Sequence, residues 1–137
     1  MLPVTNKLVH YKGKEEKIQA KNFMMGDKKG KAVAAALART ECQKANLKNN
    51  RLSPPTGKLI LESMSERVLE LNLERNNLGK SDVFLDALIK HVGKYDCSLQ
   101  VLNLSHNGIS DRHVLKFCAE LVDVKNQTLR KLKLAHN

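Results

Sequence analysis

Apolar residues recur along this chain in a fixed short frame separated by longer intervals. In VLELNLERNNL (Val68 to Leu78), LQVLNLSHNGI (Leu99 to Ile109) and LRKLKLAHN (Leu129 to Asn137) they fill the first, fourth and sixth places, and asparagine fills the ninth. CQKANLKNNRL (Cys42 to Leu52) fits the same frame with Cys42, Ala45, Leu47 and Asn50. A weaker copy, EEKIQAKNFMM (Glu15 to Met25), keeps Ile18, Ala20 and Met25 in register but has Glu15 and Phe23 at the first and ninth places. In an extended chain side chains alternate with period two, so the fourth and sixth places share a face. Each frame therefore predicts a short strand with one buried face. The asparagine follows the strand, where its side chain can satisfy backbone groups exposed as the chain turns, and stacked copies can form a ladder. Asn50, Asn76, Asn107 and Asn137 read as architectural.

The sixth-place residues Ala20, Leu47, Leu73, Leu104 and Leu134 are separated by 27, 26, 31 and 30 positions. Each interval has room for a full helix, and helical apolar spacing is present in each. Met25 to Ala38 reads as a loop and helix with Val33 and Leu37 inward. A second helix starts at Ser53-Pro54-Pro55-Thr56 with Leu59, Ile60 and Met64 as its buried stripe. A third starts at Ser81-Asp82 with Val83, Leu85, Leu88, Ile89 and Val92 apolar. A fourth starts at Ser110-Asp111 with Val114, Phe117, Cys118 and Leu121 inward. These start residues are of the types that accept backbone hydrogen bonds as N-caps.

Frame, spacing and intervening helices together resemble the leucine-rich repeat family, in its ribonuclease-inhibitor-like subclass, over residues 15–137. The resemblance implies an α/β solenoid, a horseshoe segment of four to five repeats with a parallel concave sheet and convex helices. The chain stops at the ninth place of a repeat with no capping element after it, which predicts a domain truncated within its last repeat. Residues 1–14 carry no repeat signature and read as an N-terminal leader, or as a cap in which Leu8, Val9 and Tyr11 cover the first repeat.

Composition narrows the class further. The chain has 137 residues, 42% of them hydrophobic, which suits a single folded domain. No apolar run approaches the length needed to span a bilayer, and the N-terminus lacks a signal-peptide pattern, so membrane and secretory readings fall away. Three cysteines without CxxC spacing indicate neither a disulfide framework nor a zinc ribbon, and predict a reduced, cytoplasmic chain. Cys42 and Cys118 are read as buried thiols, and Cys97 is placed in the loop before a strand. There are 24 Lys and Arg against 14 Asp and Glu, a net charge of +10 that favours acidic partners. The excess is uneven: +9 through Lys58 and +1 after it.

In this fold the non-consensus strand places project onto the concave surface or its rim, where solenoids commonly bind partners. Those places carry nine bases, Lys17, Lys21, Lys44, Lys48, Arg51, Arg75, Arg130, Lys131 and Lys133, against three acids, Glu16, Glu70 and Glu74. Asn46, Asn72 and Asn103 recur at the fifth place, and His106 and His136 at the eighth. We assign partner binding to the nine bases with Asn46, Asn72, Asn103 and His106. Such residues also serve simply to keep a sheet soluble. Two histidines on neighbouring strands supply no third metal ligand, and His10, His91 and His113 form no group with them, so no metal is expected.

No GxSxG, P-loop or HExxH motif is present, and GDKKG reads as a turn before a helix rather than a phosphate loop. No catalytic residue and no cofactor is expected. The expectation is a non-enzymatic interaction scaffold that docks an acidic protein, for example in a cytoskeletal or ciliary assembly. Two alternatives use the same fold. An RNA-associated protein would contact phosphates electrostatically, although the low aromatic content of 4% disfavours base stacking. A regulator of a small GTPase would act through its partner's nucleotide site, having no recognised site of its own.

Overall fold

The computed structural model of the protein describes residues 9–12, 15–94, 96–123 and 128–137. The chain alternates strand and helix: β1 (Val9–Lys12), β2 (Glu15–Gln19), α1 (Gly26–Leu37), β3 (Lys44–Asn46), α2 (Pro54–Ser63), β4 (Glu70–Asn72), α3 (Val83–Val92), β5 (Val101–Asn103), α4 (Asp111–Asp123) and β6 (Lys131–Lys133). A 3-10 turn at Leu78–Lys80 precedes α3. The strands form one sheet in chain order. Strands β2 to β6 are parallel, and Ile18, Ala45, Leu71, Leu102 and Leu132 stand side by side across them. The weak first copy is thus a full member of the array.

β1 runs antiparallel to β2, with Val9 opposite Ile18 and Lys12 opposite Glu15, and occupies the first edge of the parallel sheet. Leu8 and the side chains of Val9 and Tyr11, expected to cover the first repeat, lie outside the described residues.

The core lies between the sheet and the helices. The fourth- and sixth-place residues of the first four repeats are all at most 3% exposed, so the frame read from sequence is the buried face. Neighbouring helices approach closely where one is reduced to glycine. A Cβ on Gly57 of α2 would sit 2.6 Å from Leu78 Cδ2 and 2.8 Å from the Phe84 ring. At Gly79 the constraint is backbone on backbone: a Cβ there would lie 2.4 Å from the Gly108 carbonyl oxygen, and the Gly79 N–H donates to the Asn107 carbonyl at 2.9 Å.

Asparagine at the ninth place joins each turn to the one before it. Asn76 accepts from the N–H groups of Asn50 and Leu52, both at 3.1 Å, and donates to the carbonyls of Leu47, Leu73 and Glu74. Asn107 donates to the Leu73 and Leu104 carbonyls and accepts from Leu78 N–H. Asn137 accepts from the N–H groups of Asn107 and Ile109. In the first repeat Phe23 takes this place, half exposed, and its own N–H donates to Asn50 Oδ1 at 3.0 Å.

Three expectations are corrected. In α2 the buried stripe is Gly57, Ile60 and Leu61, continued by Met64 just past the helix end, whereas Leu59 is exposed. That set follows i, i+3, i+4, i+7, and its first member escapes a hydrophobic count because it is a glycine filled by Phe84 and Leu78. In α4 the inward face centres on Phe117, so Cys118, one residue further round, is exposed. Cys42 and Cys97 are buried. Ser53 and Asp82 make no side-chain bond to their own helices, whereas the Ser81 hydroxyl accepts from Val83 N–H at 3.4 Å and the Ser110 hydroxyl from His113 N–H at 3.3 Å. Ser53 instead donates its hydroxyl and its N–H to Asp27 of α1, at 2.8 and 3.0 Å, and Asp82 meets His113 of α4. These polar side chains link neighbouring repeats.

Candidate functional site

Strand pleating separates two sets of side chains. Residues at the fourth place enter the core, and those at the third and fifth turn to the opposite, concave face. The third-place row is Lys17, Lys44, Glu70, Val101 and Lys131, and the fifth-place row is Gln19, Asn46, Asn72, Asn103 and Lys133, each aligned strand to strand. The structure therefore brings Lys17, Lys44, Lys131 and Lys133 onto one sheet surface with the three asparagines. Lys21, Lys48 and Arg75 lie just beyond the strand ends. Arg51 sits exposed in the turn after Asn50, off the sheet rows, and Arg130 is exposed immediately before β6.

The basic residues are not equivalent. At the centre Lys44 pairs with Glu70 at 3.8 Å and Lys48 with Glu74 at 3.3 Å, while Arg75 Nε lies 3.6 Å from Glu74. Asn103 donates to the other oxygen of Glu74 at 3.1 Å. Burial works to raise the pKa of Glu74, but the hydrogen bond and charge of Lys48, with Asn103 and Arg75, outweigh it and hold the carboxyl below its ordinary 4.5. Arg130, Lys131 and Lys133, by contrast, are exposed and have no ion pair among the described residues.

The asparagines have a local role that sequence reading missed. Asn46, Asn72 and Asn103 accept from the N–H two residues on, in Lys48, Glu74 and Ser105, at 3.2, 3.0 and 3.0 Å. They close the ends of their own strands, and Asn103 is buried. Their carbonyl oxygens are committed to the backbone before any partner arrives.

Eighth-place residues share a second unforeseen property. Asn22, Asn49, Arg75, His106 and His136 all lie in the left-handed region, with φ of 62°, 57°, 56°, 56° and 56°. Asparagine and histidine are enriched in that region among residues with a Cβ, so Asn22, Asn49, His106 and His136 carried a sequence signal of it that Arg75 did not. The shared backbone conformation sets these side chains in a row along the rim. Asn49 donates to Asn22 at 3.0 Å, and the His106 and His136 rings stack with centroids 4.4 Å apart and planes 21° from parallel. His136 joins the site only in the structure. Among the described residues no group of three or more His, Cys, Asp or Glu is placed to hold a metal ion.

Several groups make the fold sensitive to acid. Partial burial, then the Arg75 charge and the His136 ring, hold His106 below its ordinary 6.5, and burial followed by the Lys94 charge does the same to His91 on α3. Both bind protons more weakly folded than unfolded, so their stabilisation is complete above 6.5 and is lost as pH falls through and below it. Asp27, lowered from 3.8 first by the Ser53 N–H and then by Thr56, and Glu74 contribute stability that is lost at lower pH still. The thermal midpoint is expected to be flat above about pH 7, to decline below about 6.5 and to fall more steeply below about 4.5. Circular dichroism melts across that range check it, and a midpoint that rises between about pH 7 and 5 contradicts it.

A family model described as Leucine Rich repeat matches residues 95–118 and 125–137. These matches support a leucine-rich repeat family for the chain, and the parallel strands alternating with helices in an open sheet make the fold an α/β leucine-rich repeat solenoid. No curated protein matches the chain. Repeats of this kind are typically non-enzymatic and commonly bind proteins. Among the described residues no helix is long and apolar enough to cross a membrane.

Proposed function

We propose that the protein is a non-enzymatic interaction scaffold that docks an acidic protein segment on its concave face, with the β5–β6 end as the main contact. The observation that carries this reading is the exposed set Arg130, Lys131 and Lys133, which lacks ion pairs among the described residues, whereas Glu70 and Glu74 neutralise the centre of the face. The absence of aromatic side chains from the strand rows favours a carboxylate-rich partner over an apolar one. Repeat length and a full helix in each interval fit the ribonuclease-inhibitor-like subclass. Residues 15–137 are taken as the repeat domain and 1–14 as its N-terminal leader or cap. A cytoplasmic partner with an acidic tail, as in cytoskeletal or ciliary assemblies, suits the surface.

Titration with an oligo-glutamate peptide tests the reading. Exposed charge pairs are screened over about 8 to 10 Å at physiological ionic strength, so affinity should fall steeply with added salt. Lys131→Glu with Lys133→Glu should lower it at least about tenfold without altering the thermal midpoint, because both side chains are exposed. Lys48→Glu places like charges beside the half-buried Glu74, and should cost only about 1 kcal/mol of stability and leave the fold intact. Salt-insensitive binding, or equal affinity in the double variant, refutes electrostatic docking. Tighter, sequence-blind binding to RNA than to the peptide would favour phosphate contacts instead.

A further inference from the structure

Where the acidic segment docks, the rim carries two imidazole rings in contact, and we propose that the stacked His106–His136 pair binds the partner's carboxylates and takes up protons as it does so, so that docking tightens as pH falls. The inference rests on the docking reading above and names the proton dependence of that same surface.

Geometry places the pair for this role. His106 and His136 follow β5 and β6 directly, and Lys131 and Lys133 occupy β6 itself. The left-handed backbone at both positions and the parallel register of the two strands hold the rings in contact, centroid to centroid at 4.4 Å. Two stacked imidazoles cannot both become cationic without mutual repulsion, so the pair behaves as one coupled site. At His106 the charges of Arg75 and Lys48, on preceding turns, oppose a proton, and that of Glu74 favours one. Glu74 is already engaged by Lys48, Arg75 and Asn103, so it supplies little free negative charge. In the unliganded protein partial burial, reinforced by this charge balance, works against protonation and holds the His106 pKa below its ordinary 6.5. A carboxylate arriving beside the pair reverses the sign of the local field and raises the proton affinity of the rings, and linkage requires that lower pH strengthen its binding in return.

The array contains its own control. The same left-handed eighth position is asparagine in the first two repeats, where Asn49 and Asn22 bond to each other across adjacent turns. His106→Asn with His136→Asn therefore copies a side-chain pair that this backbone already accommodates, and removes the titration while keeping a lateral hydrogen bond.

The experiment measures binding of an oligo-aspartate peptide at about pH 7.5 and 5.5 and constant salt, with calorimetry in buffers of different ionisation enthalpy to count protons, and NMR titration of the histidines with and without peptide. The natural chain should bind several-fold, and at most about tenfold, more tightly at the lower pH, take up about half a proton at a pH between the two, and show a raised His106 pKa in the complex, as expected for a shift of about one unit. The double asparagine variant should melt normally above about pH 7 and bind with an affinity that no longer changes with pH. If binding is salt-dependent but pH-independent in the natural chain, or equally pH-dependent in the variant, the proton coupling is wrong and the docking surface stands. If no salt-dependent binding occurs at either pH, both readings fall. The NMR titration decides the coupling on the natural chain alone should the variant not fold: an unchanged His106 pKa on saturation with peptide overturns it.

Discussion

Leu104→Asp is expected to abolish cooperative folding of the repeats around it. Leu104 is fully buried, in the same sixth-place column as Leu73 and Leu134. Truncating a buried leucine to alanine costs about 2–5 kcal/mol through lost transfer energy and the cavity left behind. Aspartate loses at least as much apolar contact and adds the burial of a carboxyl group with no partner, worth several further kcal/mol or a large upward pKa shift. Whole domains are stable by only about 5–15 kcal/mol, so the substitution consumes most or all of that margin. Because each repeat rests on its neighbours, the damage spreads along the stack. Far-UV circular dichroism during heating reads the result, and a thermal transition like that of the natural chain would mean that the strand register is wrong.

Asn76→Ala should have the second largest effect, with its neighbour as the control. Asn76 is buried and its amide serves five backbone groups: it accepts from Asn50 and Leu52 N–H and donates to the carbonyls of Leu47, Leu73 and Glu74. Each buried polar group left unsatisfied costs about 1–3 kcal/mol, and some of these recover a partial partner in water or sheet, so a total of about 3–5 kcal/mol is expected. Asn77, the next residue, is half buried and lies outside the ladder, so Asn77→Ala should change stability by less than about 1 kcal/mol. Urea unfolding of both variants separates them. Equal losses would show that the asparagine ladder does not bear the inter-repeat stability.

Much of the fold was legible because the repeat states each instruction several times. Leu71, Leu102 and Leu132 occupy the fourth place in separate copies, and their alignment in the sheet follows from that coincidence. Asn50, Asn76 and Asn107 were likewise identifiable as turn-closing residues, since only a side chain with both a donor and an acceptor can join two turns. Helix faces were legible less completely. The Leu59 and Cys118 assignments fail because inward direction depends on where the neighbouring helix lies, and Gly57 presents its buried surface without any side chain to count.

The site was legible as an inventory. Each base at a non-consensus place could be named from the frame, but its electrostatic state could not. Lys44 and Lys131 share a row, yet only Lys44 stands beside a glutamate on the next strand. That contrast is written in residues 26 positions apart and takes effect only once the strands pair. The asparagines Asn46, Asn72 and Asn103 looked like free amides and prove to be strand-end closures, because hydrogen bonding to the residue two further on depends on backbone direction at the turn.

By itself the sequence determined the period, the buried face of strands β2 to β5, the ladder asparagines and the surplus of positive charge, since all of these are set by spacing and residue type along one chain. Tertiary structure decided which charges are neutralised, which helix positions are covered, and that His106 and His136 meet ring to ring. Those outcomes depend on distances between repeats and on the left-handed turn that aims the eighth-place side chain, and neither quantity exists until the repeats stack.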